Sequence, residues 1–325
     1  MKVPRRTFLQ LAAGVAALPA VSRVAWPQEY PRRPVRMIVP LPAGSSPDIR
    51  HRQIAQALSQ LWGKQVVVEN KPGGGGLIGT RAALNEAPDG YTMLVGLASV
   101  YTILPGQNEK LPFDVNNDMI PIGLTAFEGL VMACSSKLGV GSLSEFIELA
   151  RKNPDLYVIG TNPAGSLPHL AANRFVDLTK TKIAVVPYAT GGTSAVISDI
   201  MGGRVHVAID GWAALRGALD SGDLKALAIL SPKPSATLPN LPTALGTVPD
   251  FTAIGWQALI VHKGTPEAIV RKLGDDLRTV LSNPELQKKL LETGLEFQPL
   301  YGAELTRFIE DEQKRWLPVA KKYAP

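Results

Sequence analysis

A chain of 325 residues is long enough for two lobes of ordinary size, and 45% apolar with 19% charged residues describes a globular protein, not a disordered or membrane-spanning one. Its single cysteine, Cys134, excludes an intrachain disulfide and any thiolate metal cluster. The formal net charge of +6 is spread without Lys or Arg runs, which gives nucleic-acid binding no support.

Residues 1–25 read as an export segment and not as part of the fold. Lys2, Arg5 and Arg6 form a positive start, and 9–21 is an Ala-rich apolar stretch too short to cross a membrane. Pro4-Arg5-Arg6-Thr7-Phe8-Leu9-Gln10 resembles the twin-arginine export signal, with cleavage candidates at Ala20-Val21-Ser22 and Ala25; an uncleaved anchor is the alternative. Removing 1–22 takes away three positive charges and no negative one, so the formal charge falls from +6 to +3.

The chain then alternates between strand and helix patterns. Residues 35–39 form a short apolar strand that turns directly into a helix over 48–61, with Ile49, Ile54, Ala57, Leu58 and Leu61 at helical spacing. Ser46 is a natural N-cap, Pro47 suits the first helical position, and Asp48 complements the positive helix end. A strand at 65–69 ends in Asn70-Lys71-Pro72 and a run of glycines, 73–76. A helix over 77–86 stops at Pro88-Asp89-Gly90, and a strand at 91–96 follows. This βαβαβ order predicts a mostly parallel sheet with helices on its faces.

Residues 104–117, rich in Pro and Asn, are assigned no element, and two apolar runs follow at 120–125 and 130–135. A second series begins with a helix over 143–152, where Ser142 and Glu145 make a capping box. Strands at 157–161, 183–187 and 205–210 each lead through a loop of small residues into helices over 167–178, 194–201 and 212–221. A strand at 224–230 closes the series. A proline-rich return crossing, a strand at 255–261 and helices over 266–281, 284–293 and 303–323 complete the chain, with no internal repeat.

Three strand-to-helix loops share one chemistry: Gly44-Ser45-Ser46, Gly165-Ser166 and Gly191-Gly192-Thr193. Each puts small or hydroxylic residues at a helix start, and none carries Lys or Arg. In open α/β sheets ligands sit outside the carboxyl ends of strands, where such loops gather. Backbone N–H groups at facing helix tips would hold a carboxylate, with the helix dipoles supplying partial positive charge. Ordinary turns are the plainer alternative for any one loop. His169, one turn into its helix, either faces the cleft or packs, and Asp210 at a strand end either meets a ligand's polar group or caps the next helix. Trp256 and Tyr188 are candidate aromatic walls. Gly74-Gly75-Gly76-Leu77-Ile78-Gly79 matches the dinucleotide pattern by spacing. Lys71-Pro72 part it from its strand, however, and no acidic residue follows where ribose would need one. The four histidines, His51, His169, His206 and His262, have no metal-ligand spacing, and no Walker loop or Gly-x-Ser-x-Gly elbow occurs. The residues therefore name no catalytic group, no metal and no cofactor.

The chain resembles the tripartite tricarboxylate transporter substrate-binding proteins, the Bug family of periplasmic solute receptors. The likeness runs through Tyr30-Pro31, Val39-Pro40 to Gly44 and Asp48, Val66-Val67-Val68-Glu69-Asn70-Lys71-Pro72-Gly73, Pro88-Asp89-Gly90-Tyr91-Thr92 and Lys110-Leu111-Pro112-Phe113-Asp114. It continues through His169-Leu170, Val186-Pro187-Tyr188, Gly202-Gly203-Arg204-Val205, Gly222-Asp223-Leu224-Lys225, Leu241-Pro242-Thr243 and Gly264-Thr265-Pro266. It implies a two-lobed type II periplasmic-binding fold, with lobe 1 made of 26–127 plus 232–325 and lobe 2 of 128–231. It also implies a periplasmic, monomeric, non-catalytic receptor that hands a small organic acid to a membrane carrier. Carried over by position, the ligand-binding residues are Pro42, Ala43, Gly44, Ser45, Ser46 and Asp48 from the first lobe. From the second they are Thr161, Gly165, Ser166, His169, Tyr188, Gly192, Thr193 and Asp210, the last matching a phenylalanine–aspartate end in relatives. Ser45-Ser46 stand where relatives often have Gly and a small residue, and the loop after Tyr188 is longer, so no relative's specificity is borrowed. A di- or tricarboxylate, an amino acid or an aromatic acid all fit. A periplasmic sensor feeding a signalling protein is the alternative role, and an exported α/β enzyme the third.

Overall fold

The computed structural model describes residues 30–107, 110–190, 192–292, 295–296 and 298–323; the export segment expected at 1–25 lies outside them. Residues 33–325 make one compact unit. Its first half holds β1 (Val35–Val39), α1 (Ser46–Trp62), β2 (Val66–Asn70), α2 (Leu77–Leu84) and β3 (Thr92–Leu97). β1 runs parallel to both β2 and β3. Val35, Met37, Ile38 and Val39 are fully buried, as a central parallel strand covered on both faces requires. α1 starts with Ser45 at the N-cap and stops at Gly63, whose φ of +62° is the left-handed conformation that ends many helices.

Two short helices, α3 (Ala98–Thr102) and α4 (Leu104–Gln107), occupy ground that sequence patterning leaves unassigned. Pro105 and Gly106 are poor helix formers, and packing overrides them. A Cβ at Gly106 would lie 2.7 Å from Ala320 Cβ of the C-terminal helix, so only glycine permits that approach.

The two apolar runs at 120–125 and 130–135 prove to be one 17-residue strand, β4 (Met119–Ser135). Glu128-Gly129 reads as a break in sequence, but here the strand exchanges partners without stopping. Up to Gly129 it pairs with β9 (Ile254–His262), and from Leu130 with β7 (Val207–Gly211). The second half adds α5 (Leu143–Lys152), β5 (Val158–Thr161), α6 (Leu167–Thr179), β6 (Ala184–Pro187), α7 (Gly192–Met201), α8 (Trp212–Asp220) and β8 (Leu224–Ile229). Ser142 caps α5 as expected, accepting from Glu145 N at 3.2 Å, while the Glu145 carboxylate reaches back to Gly141 N.

Strand order is β2-β1-β3-β9-β4-β7-β5-β6, with β8 on β4. The parallel expectation holds inside each half, and the crossing strands β4 and β9 bring antiparallel partners. Helices α9 (Glu267–Leu281), α10 (Pro284–Leu291) and α11 (Gly302–Lys322) end the chain. α11 buries Trp316 in the same core as Phe146, Phe175 and Phe251, which ties it to the second half. No helix among the described residues is long and apolar enough to cross a membrane.

Candidate functional site

β1 ends at Val39 and α1 begins at Ser46, so the loop between them stands at the carboxyl end of a parallel strand. Gly44 adopts φ +80°, and its N–H donates to Asp48 Oδ2 at 2.8 Å. Asp48 also accepts from Arg52 Nε at 3.0 Å and Asn70 Nδ2 at 2.8 Å. Burial pushes the Asp48 carboxyl up, but the bonds from Arg52, Gly44 and Asn70 together outweigh it and hold it below the usual range. At 2% exposure, Asp48 staples the loop from beneath. Ser45 gives both its N–H and its hydroxyl to Pro42 O, at 3.3 and 2.8 Å. Pro42, Ala43 and Gly44 are exposed; the Ser46 side chain lies outside the described set.

The loop between β5 and α6 repeats this design. Pro163-Ala164-Gly165-Ser166 echoes Pro42-Ala43-Gly44-Ser45, and a proline follows two residues after each serine. The repeat is only four identical residues long, too short to stand out in the sequence, yet its backbone is copied. Gly165 has φ +79°, Ser166 N donates to Pro163 O at 3.0 Å, and Gly165 N donates to His169 Nδ1 at 3.2 Å. Where the first loop has a buried carboxylate, the second has a half-buried imidazole whose pKa is lowered by desolvation. Ser166 Oγ accepts from His169 N at 3.4 Å, a true side-chain cap that Ser45 does not make. Both loops thus spend their glycine N–H internally. At the second tip Pro168 has no N–H, which leaves Leu167 N–H as the helix-end donor with no assigned protein acceptor among the described residues.

The other predicted residues form a neighbouring cluster. Asp210 accepts from Asn162 Nδ2 at 2.8 Å, from Gly211 N at 2.7 Å and from the Thr193 hydroxyl, so it laces the ends of β5, β7 and α7 together. Thr161 is buried and donates to Asn162 O at 3.1 Å. Gly192 opens α7 with φ +51°. The Tyr188 hydroxyl donates to Asp199; burial and that carboxylate push its pKa to about 12.

One cleft, of about 650 Å³, takes lining from both halves. Leu41, adjoining the first loop, Gly74 and Gly75, residues of α3 and α4, and Gly255, Trp256 and Gln257 of β9 face Pro163 to Leu167 of the second loop. Of the predicted residues, Gly165 and Ser166 line it. Pro42, Ala43, Gly44, Ser45, Ser46, Asp48, Thr161, His169, Tyr188, Gly192, Thr193 and Asp210 are not among its lining residues. Trp256, expected as an aromatic wall, is there, and Tyr188 is not. Gln107 Nε2 reaches Gly165 O at 3.5 Å, and a Cβ on Gly165 would collide with that amide.

Sequence reasoning missed Gln107 and Gln257, which carry no motif. It also missed Arg50, two residues past Asp48. Arg50 is 2% exposed and its Nη1 lies 3.5 Å from Glu128 Oε2 on β4, beside the point where that strand changes partners. Burial opposes the charge on both members: it lowers the Arg50 pKa and raises that of Glu128. His51 is fully buried, its Nδ1 2.7 Å from Pro47 O and its Nε2 2.9 Å from Thr125 Oγ1; burial lowers its pKa to about 4. The helical period alone places these side chains inward, but it names no partner for them.

A family model described as "Tripartite tricarboxylate transporter family receptor" matches residues 50–324. Protein BugT of Bordetella pertussis (strain Tohama I) is 32% identical over 323 residues, covering 96% of this chain and 97% of that protein. Among solved structures, an R. palustris protein with adipate superposes with TM-score 0.76 at 29% identity, covering 90% of this chain and 98% of the other. MatC from Rhodopseudomonas palustris, with bound malate, gives TM-score 0.70 at 25% identity, covering 90% of this chain and all of the other. A two-lobed α/β fold, a family match along most of the length and a relative aligned nearly end to end agree: the protein belongs to the tripartite tricarboxylate transporter receptors, a family of solute-binding proteins and not of enzymes.

Proposed function

We propose that the protein is an exported periplasmic receptor that captures a small organic carboxylate between its lobes and delivers it to the membrane components of a tripartite tricarboxylate transporter. The observation that carries this reading is the convergence of Leu41 and Pro163 to Leu167, the approaches to two copied helix tips, on one cleft. Relatives solved with adipate and with malate support an acid as the solute. In this reading lobe 1 is 26–127 plus 232–325 and lobe 2 is 128–231; the exchange of β4 partners between Gly129 and Leu130 supports the first boundary.

Closure would be a hinge motion about the crossing strands, biased by a ligand that touches both lobes. It would bring Pro42, Ala43, Gly44, Ser45 and Ser46 toward Gly165, Ser166, Gly192 and Thr193, with Asp48, His169, Tyr188, Thr161 and Asp210 holding the loops in shape. The two tips are electrostatically unequal. Asp48 already offsets the positive end of α1, whereas the neutral His169 leaves that of α6 uncompensated. The acid group is therefore assigned to the α6 tip.

His169→Asp tests this. Aspartate can still accept from Gly165 N, as Asp48 does from Gly44 N, but it brings a negative charge to the tip. Titration calorimetry against a panel of organic acids should show tenfold or greater weakening, about 1.4 kcal/mol. Unchanged affinity would move the acid group elsewhere, and a panel with no binder would remove the carboxylate reading.

A further inference from the structure

We infer that the lobe that moves on closure is larger than 128–231. It runs from Leu130 to Ala253 and carries the last turns of α11, which make a third connection between the lobes and flex where Pro318 interrupts the helix. This rests on the two-lobe reading above and redraws its second boundary. The two strand crossings lie side by side. β4 changes partner between Gly129 and Leu130, and Gly129 pairs with Ile254, the first residue of β9. One residue earlier, Ala253 still belongs to the second lobe: its N–H donates to Leu230 O at 2.8 Å, and its carbonyl accepts from Leu130 N at 3.0 Å. The stretch before it packs the same way. Ile229 N donates to Pro242 O at 2.9 Å, and Leu238 and Leu241 lie against the core around Val131 and Leu215. Ala244, Val248 and Phe251 are buried with Phe146 and Phe175, and Arg174 Nη2 of α6 donates to Asp250 O at 3.1 Å. A single rotation about Gly129-Leu130 and Ala253-Ile254 therefore bends both crossings at one register.

α11 is anchored on both sides of that line. In its first part the Phe308 ring lies 6.2 Å from that of Phe127 and 5.7 Å from that of Trp256, centroid to centroid. Gln313 Nε2 donates to Tyr101 O at 3.2 Å and to Asn116 Oδ1 at 3.0 Å, again on the first lobe. The last part buries Trp316, Val319 and Ala320 with Phe146 and Phe175, and Lys322 Nζ reaches Asp177 Oδ2 of α6 at 2.7 Å. Pro318 has no N–H to give Lys314 O, so the helix ladder is broken in the turn that joins the two anchors. A continuous helix fixed at both ends would resist closure, and one with a missing bond at the crossing bends there.

The experiment is native-state amide hydrogen exchange, read by mass spectrometry on the purified full chain without added ligand. Phe175→Leu loosens the second lobe and should speed exchange about tenfold in 143–179, 238–252 and 316–323, leaving 35–62 and 302–312 unchanged. Leu277→Val, in the first lobe, should speed 35–62 and 302–312 and spare the others. Adding Pro318→Ala to Phe175→Leu restores the ladder bond and should shrink the contrast between 302–312 and 316–323 to about twofold. Should a variant fail to fold, the native chain in rising urea gives the same reading, with 238–252 and 316–323 opening together with 143–179. If 238–252 follows Leu277→Val, or opens with 35–62 in urea, the redrawn boundary is overturned. A uniform response along α11 overturns the third connection, and an unchanged contrast after Pro318→Ala overturns the flexure. None of these outcomes depends on which acid binds, so the carboxylate reading stands or falls by its own titration.

Discussion

The loops at 42–48 and 163–169 are two copies of one backbone device with opposite electrical settings. Each holds a glycine at nearly the same positive φ, 80° and 79°, and each serine N-cap is extended, at φ/ψ of −66°/155° and −72°/159°. In both, the residue three after the cap reaches back to the glycine N–H. In the first copy that residue is a carboxylate, fully buried and bound to Arg52 and Asn70 as well. In the second it is an imidazole braced by Asn173, whose Nδ2 lies 3.1 Å from Nε2 and donates to the His169 carbonyl at 2.9 Å. A helix tip with its own counter-ion is a structural joint. In the proposed reading, the tip without one seats the ligand's acid group.

The sharpest break of this symmetry is Asp48→Ala. It removes the acceptor of the Gly44 N–H and one bond each from Arg52 and Asn70, which keep each other and Leu41 O as partners, and urea denaturation should register a loss of about 3 kcal/mol. His169→Ala, at a half-exposed site, should cost no more than about 1 kcal/mol on the same scale.

Acidification separates the halves next. His51 in α1 has no titrating counterpart at the matching place in α6, where Ala172 stands. Its folded pKa of about 4 lies below the ordinary 6.5, because burial disfavours the charged ring. The unfolded chain therefore binds the proton first as pH falls. Stability is full above pH 6.5 and declines toward pH 4 by about 1.4 kcal/mol per pH unit within the window. His169, shifted in the same direction, adds a smaller slope of the same sign. Thermal melts from pH 7 to 4.5 should show this decline, and His51→Gln should flatten most of it; an unchanged slope would place the protonation elsewhere.

The finest comparison is between the two serines. Ser166→Ala removes a working cap and should lower stability by about 1 kcal/mol, whereas Ser45→Ala, whose hydroxyl serves only Pro42 O, should cost under about 0.5 kcal/mol. Equal losses would mean that the two loops are copies in energy as well as in shape.

Much of the fold was legible in the residues. The alternation of 35–39, 48–61 and 65–69 matches β1, α1 and β2 to within two residues at each end, since buried parallel strands and capped helices are local signals. The loops at 44–46 and 165–166 were legible as helix starts for the same reason. The short helices α3 and α4 were not, because their Pro and Gly are tolerated only through packing against α11. The single strand β4 was not either, because Glu128-Gly129 looks like a stop until partners on both sides are known.

By itself, the sequence determined the α/β alternation, the family and the helix tips with their small, uncharged residues, since each is written in the spacing of apolar residues, the order of short motifs and the identity of caps. Only the tertiary structure decided which N–H groups those tips keep free and which side chains take the rest. It also decided that Gln257, 92 positions after Gly165, lines the same cleft. The reason is that a hydrogen-bond partner or a cleft wall is set by where distant strands and helices meet, and no local pattern records that meeting.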